Sequence, residues 1–147
     1  MRALVQRVRK TALSVGGKLV SEIPFGLAVY LGVKEGDTRA QAEFIAKKIA
    51  HLRIFEDENG KINLSVKDEG GEILLISQFT LYGDCTHGNR PSFIAAARPE
   101  TAQPLYEIVK EELIGYGIPV CTGVFGADMK IEQYNDGPVS ILIESEA

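Results

Sequence analysis

Apolar and polar positions alternate over residues 2–9, with Ala3, Val5 and Arg7 on one face and Leu4, Gln6 and Val8 on the other. That period of two predicts a strand. Residues 12–15 and 18–23 flank Gly16-Gly17, a short hairpin signal. Phe25 to Val33 is an apolar run interrupted only by glycines and a tyrosine, and it reads as a buried strand. After Gly36 the period changes. Thr38 and Gln41 have capping-box spacing, and Ala42, Ile45, Ala46, Ile49 and Leu52 follow at helical intervals, which predicts a helix over 38–52. Glu56 to Gly60 is a polar turn. Ile62 to Val66 reads as a short strand ended by Asp68-Glu69-Gly70-Gly71. Glu72 to Leu81 is strongly apolar and reads as a central strand.

Gly83 to Pro91 forms a polar loop. A second helix is predicted from about Glu100–Gln103, with Leu105, Ile108, Val109 and Leu113 inward, Pro104 in its first turn, and Gly115 or Gly117 at its end. Residues 119–124, 130–134 and 139–143 close the chain as strands. The elements predict an α+β domain spanning 1–147, with a curved, mainly antiparallel, barrel-like sheet and two main helices.

Composition narrows the function without naming it. Of 147 residues, 45% are apolar and 24% charged, with a formal net charge of −4. An acidic chain is a poor match for bulk coating of nucleic acid, although Arg7, Arg9, Lys10, Lys18, Lys47, Lys48, Arg53, Arg90 and Arg98 leave room for a local basic patch. No apolar run approaches the ~18 residues of a membrane span, and the first residues lack a signal-peptide core, so a cytoplasmic protein without membrane contact is expected. Cys85 and Cys121 are read as ordinary reduced thiols; neither belongs to a Cys-x-x-Cys pair.

Two segments stand where an apolar run meets a loop: Ser77-Gln78-Phe79-Thr80-Leu81 and Asn135-Asp136-Gly137-Pro138-Val139. In the first, main-chain N–H groups with Ser77, Gln78 or Thr80 can cradle a polarised carbonyl. The plainer reading is a strand reaching the surface. A nucleophilic Ser or Thr needs a base. His51 lies on the predicted first helix and His87 in a glycine-containing loop, so a Ser-His-Asp triad has no support. Asp84, Asp128 and Asp136 fit turns, and no metal-ligand spacing appears. Gly137-Pro138 reads by itself as a trans turn.

Four segments in order carry a resemblance. Ser77-Gln78-Phe79-Thr80-Leu81, Gly88-Asn89-Arg90-Pro91-Ser92-Phe93, Thr122-Gly123-Val124-Phe125-Gly126-Ala127-Asp128-Met129 and Asn135-Asp136-Gly137-Pro138-Val139 resemble the D-aminoacyl-tRNA deacylases, as does the opening Ala3-Leu4-Val5-Gln6-Arg7-Val8. The resemblance covers essentially the whole chain. It implies a homodimer that hydrolyses the ester joining a D-amino acid, or glycine, to the 3′ end of tRNA, with no metal or organic cofactor. It further implies that the Gly137-Pro138 bond is cis and reaches into the opposite subunit's site, where its carbonyls take the substrate amine and its wall rejects an L side chain. Ser77, Gln78, Phe79 and Thr80 then form the catalytic segment. The main chain around Gln78 and Phe79 is expected to bind the ester carbonyl, and Met129 to line the adenosine pocket or support the Gly-Pro loop. Thr80 as nucleophile is the weaker option beside a water assisted by the ribose 2′-hydroxyl. Ser140 departs from the family's usual Thr, keeping the hydroxyl. Two alternatives remain at this level: a Ser/Thr-dependent small-ester hydrolase, and a non-catalytic tRNA-binding module.

Overall fold

In the computed structural model, which describes residues 1–145, the first two strands are longer than periodicity implies. β1 runs Arg2–Val15 and β2 runs Lys18–Gly32. They join at Gly16 and Gly17, both at positive φ (58° and 78°), as a tight hairpin turn of the favoured hand demands. The apparent breaks near residues 10 and 24 are bends rather than ends. Lys10 takes φ 39°, and Gly26 takes φ 145°.

Helix α1 spans Arg39–His51, and its expected capping box forms. The Thr38 N–H donates to Gln41 Oε1 at 2.8 Å. Strands β3 (Arg53–Glu56) and β4 (Ile62–Ser65) make a separate antiparallel pair. β5 is Glu72–Ser77, shorter than the predicted 72–81, because β2 offers pairing only as far as its own end. Helix α2 spans Pro99–Gly115. It starts earlier than predicted, with Pro99 in the first turn, where a missing N–H costs nothing. Pro104 consequently lies inside the helix rather than in its first turn. β6 is Val120–Thr122, and the two strands expected at 130–134 and 139–143 are one long strand, β7, Met129–Glu144.

The main sheet has the order β6-β5-β2-β1-β7. β1 pairs antiparallel with β2 and with β7, whereas β2–β5 and β5–β6 are parallel. The parallel pairs need long crossovers, and α1 with the β3–β4 hairpin supplies one while α2 supplies the other. The sheet is curved and open, with β6 and β7 as edges, so the barrel-like expectation does not extend to closure.

One sheet face packs on the helices through fully buried Val5, Val29, Leu75, Ile45, Ile49, Val109 and Leu113. On the other face Val8, Ala28, Leu74 and Ile76 are covered by Leu13 and Ile23 of the curled hairpin. The two cysteines are free thiols. Among the described residues no helix is long and apolar enough to cross a membrane.

Candidate active site

The first signature begins where the sheet stops holding the chain. Ser77 stands opposite Leu31 at the end of β5. The Gln78 N–H then donates to the Leu31 carbonyl at 2.8 Å. Beyond that rung the chain tightens into a short 3₁₀ helix, Phe79–Tyr82. The first N–H groups of such a turn, those of Phe79 and Thr80, have no acceptor inside the helix. The Gln78 N–H is therefore occupied within the sheet, and of the main chain around Gln78 and Phe79 it is the Phe79 N–H, followed by that of Thr80, that the turn leaves without an acceptor. The Gln78 side-chain amide donates to Thr80 Oγ1 at 3.0 Å and so ties the segment to itself.

These residues wall a cleft of about 540 Å³. Ser77, Gln78, Phe79 and Thr80 face it together with Phe93, Ala96 and Ala97, the start of α2 at Pro99 and Ala102, and the loop Phe125-Gly126-Ala127 leading to Met129. Leu31 and Val33 complete the wall. Phe79 and Phe93 meet edge to face, with ring centroids 5.2 Å apart. Of the residues singled out in the sequence, Ser77, Gln78, Phe79, Thr80 and Met129 come together here. Phe93, Ala97, Ala102 and Phe125 join them, Phe93 and Phe125 from the Gly88–Phe93 and Thr122–Met129 segments and the two alanines from positions that the sequence does not mark.

No lining residue carries a titratable side chain. Behind the segment, Tyr82 is pushed up to about 12, chiefly by burial, with the Asp37 carboxylate adding to the effect and the Arg2 guanidinium opposing it. Arg2 lies 4.7 Å over the Tyr82 ring and donates to the Leu81 carbonyl at 2.7 Å. Tyr82 is thus a protonated support, not a base. His51 packs edge to face on Tyr116, and its Nδ1 lies 2.8 Å from the Lys47 carbonyl. His87 is exposed and lines a separate hollow. Among the described residues no cluster of His, Cys, Asp and Glu is arranged to hold a metal.

The second signature sits elsewhere. β7 pairs with β1 as Gln6↔Ser140 and again as Val8↔Asn135, and the register slips between them. Residues 136–139 therefore bulge from the edge strand opposite Arg7. The Gly137-Pro138 peptide bond is cis, and Gly137 has φ 134°. Both residues are exposed, and neither lines the cleft of its own chain. Arg7 anchors the bulge from beneath and is only 8% exposed. Its Nε donates to the Asp136 carbonyl at 2.9 Å and its Nη1 to the Ile54 carbonyl at 2.9 Å. Arg9 holds the Asp136 carboxylate at 3.1 Å. On the far side, Gln6 Nε2 donates to Ser140 Oγ at 3.0 Å, so the hydroxyl retained at this position fastens the bulge's exit. Arg7's anchoring role was missed. A cation on the same face as Ala3 and Val5 was the available signal.

A cleft that offers apolar walls, hydroxyls, an amide and main-chain donors, with no side-chain base, defines a site that binds and orients a polarisable group. A profile described as D-Tyr-tRNA(Tyr) deacylase matches residues 4–144. D-aminoacyl-tRNA deacylases of Brevibacillus brevis and Geobacillus sp. are 54% and 56% identical, over 99% of this chain and 100% and 96% of theirs. A solved structure of the c-Myc DNA Unwinding Element Binding Protein superposes with a TM-score of 0.92 at 42% identity, covering 100% of both chains. A probable eukaryotic D-amino acid tRNA deacylase shares the fold, with a TM-score of 0.82 at 18% identity and 97% coverage of each chain. The chain belongs to the D-Tyr-tRNA(Tyr) deacylase family.

Proposed function

We propose that this protein hydrolyses the ester of D-aminoacyl-tRNA, releasing the D-amino acid and tRNA. The observation that carries this reading is the cleft, built by the Ser77–Thr80 segment without a titratable side chain. Such a wall cannot deliver general-base catalysis. It can hold a terminal aminoacyl adenosine and aim donors at its carbonyl. Aminoacyl esters are already labile, so orientation and stabilisation of the developing oxyanion suffice for a large rate gain. In this account the Phe79 and Thr80 N–H groups serve the oxyanion, Gln78 braces Thr80, and Met129 borders the adenosine.

Chirality enters through a second copy of the chain. The protein acts as a homodimer in which exposed Gly137 and Pro138 of one subunit close the partner's cleft. Their carbonyl oxygens take the substrate's α-amino group. With amine and carbonyl both held, an L side chain collides with this wall while a D side chain, or glycine's hydrogen, points away. In this reading the enzyme acts in the cytoplasm, on the tRNA pool.

Thr80 acts as a donor rather than a nucleophile, because its Oγ1 already accepts from Gln78 and no base lies beside it. The decisive experiment is a paired assay with D- and L-tyrosyl-tRNA. Rapid loss of the D ester with survival of the L ester is expected; equal rates would remove the chirality claim. Thr80→Ala should keep partial activity and form no acyl-enzyme. A trapped acyl-enzyme in the parent that disappears in Thr80→Ala would instead establish covalent catalysis.

A further inference from the structure

Of the Gly88-Asn89-Arg90-Pro91-Ser92-Phe93 segment, only Phe93 faces the proposed ester site. The geometry gives the rest of it a role. Asp84 and Ser92 clasp each other through two main-chain hydrogen bonds, N–H to carbonyl at 2.8 and 2.9 Å. They close a short loop carrying His87, Asn89 and Arg90. The chain that follows is a partition between two hollows. Phe93, Ala96 and Ala97 face the proposed ester site, whereas Ser92, Ile94 and Ala95 face a second hollow also lined by Asp84, His87, Gly88 and Arg90.

The distribution of arginines gives the second hollow its chemistry. Arg2 pairs with Glu144, Arg7 and Arg9 with Asp136, Arg39 with Glu43, and Arg53 binds Asn63. Among the described residues only two arginines stand uncommitted or nearly so. Arg90 has no hydrogen bond or ion pair, and Arg98 only reaches Glu100 at 4.0 Å with both side chains exposed. They bracket the partition, at the clasped loop and at the start of α2. Three carboxylates lie nearby. Asp84 is occupied by the Thr86 N–H at 2.9 Å, Glu35 is exposed, and Glu100 is the distant partner of Arg98. In an acidic chain, the free Arg90 guanidinium in the second hollow and the weakly paired, exposed Arg98 guanidinium at the start of α2, one at each end of the partition, form a local basic patch suited to anions.

We propose that the clasped loop, through Arg90 and Arg98, docks the phosphates of the single-stranded 3′ end of the tRNA acceptor strand. This rests on the reading that the cleft holds the terminal aminoacyl adenosine. The strand leaving that cleft over the partition then passes both arginines. Exposed Ile94 offers an apolar surface to an unstacked base beside them.

The test compares the wild type with R90Q/R98Q on D-tyrosyl-tRNA and on D-tyrosyl-adenosine, which lacks the upstream phosphates. The double variant should raise KM for the tRNA about tenfold with kcat retained, and should leave D-tyrosyl-adenosine unchanged. The slope of log kcat/KM against log salt should flatten by about 1.4, that is ~0.7 for each of two single-strand phosphates. K47Q/K48Q, which removes the same charge from the exposed side of α1, should change neither substrate. An unchanged tRNA KM and slope, equal losses on both substrates, or the same effect from K47Q/K48Q would each overturn the proposal. If the wild type cleaves neither ester, the reading of the cleft fails separately. Binding of a short single-stranded RNA ending in CCA, followed by fluorescence anisotropy, then decides the surface. A roughly tenfold loosening in R90Q/R98Q supports it, and equal affinities reject it.

Discussion

Arg7 is the residue on which the proposed chiral wall depends most directly. It spends its guanidinium on two main-chain carbonyls, Asp136 and Ile54, and is nearly buried while doing so. One carbonyl belongs to the bulge and the other to the layer beneath, so Arg7 fixes the height of Gly137-Pro138 above the sheet. A lysine keeps the charge but cannot bridge both carbonyls in one fixed fork. Arg7→Lys is expected to lower kcat/KM for D-tyrosyl-tRNA roughly 10- to 100-fold, as misplacement of a positioning group does. The informative readout is the ratio of D to L hydrolysis. It should fall further than overall stability accounts for, and an unchanged ratio would separate Arg7 from the wall. A second expectation at this scale comes from the missing base. With no titratable side chain facing the cleft, kcat at saturating substrate should show no bell-shaped pH profile, and His51→Ala and His87→Ala should each leave kcat unchanged. A pair of enzyme-derived limbs would show that a base has been overlooked.

At the scale of elements, the site exists because β5 lies parallel to β2 and ends one rung before the 3₁₀ turn. That register needs Gly26. A β-carbon there would fall on the Glu72 main chain, at φ 145°, where L side chains are strained. Gly26→Ala should therefore destabilise the fold by about 3 kcal/mol or more, measured by urea denaturation, and should lower activity by displacing Ser77–Thr80. A variant with wild-type stability would mean that the strands tolerate a shift. Much of this layer was readable in advance. Alternation, the Gly16-Gly17 turn and the Thr38–Gln41 box each follow from local chemistry and formed as expected. The 3₁₀ turn was not readable, because Phe79-Thr80-Leu81-Tyr82 is good strand sequence and only the end of its neighbour β2 stops it. Likewise 130–134 and 139–143 looked like two strands because the bulge at 136–139 is held by Arg7 and Arg9, both distant in sequence. The cleft wall drew on Ala97 and Ala102, whose types announce nothing. Its Ser77–Thr80 half stood out in the sequence as hydroxyls and an amide at the end of an apolar run, and the resemblance of whole segments favoured a site there over a strand merely reaching the surface.

At the scale of the molecule, the two signatures lie on different surfaces of one chain, and a second copy is what unites them in the proposed enzyme. A two-fold dimer makes this testable without a structure, since each site would take Gln78 from one subunit and Pro138 from the other. Gln78→Ala and Pro138→Ala homodimers should each be strongly impaired in discriminating hydrolysis. Unfolding and refolding the two variants together yields mixed dimers. In a mixed dimer one site receives both substitutions and the other receives neither. Random pairing makes about half the dimers mixed, so roughly a quarter of the wild-type sites should reappear, with full preference for D-tyrosyl-tRNA. If both motifs served the same chain's site, every site in the mixture would carry one substitution and activity would stay at the level of the separate variants. Restored, D-selective turnover would assign the wall to the partner subunit. Its absence, with dimers verified by sedimentation, would return Gly137-Pro138 to its own chain and require a different origin for chirality.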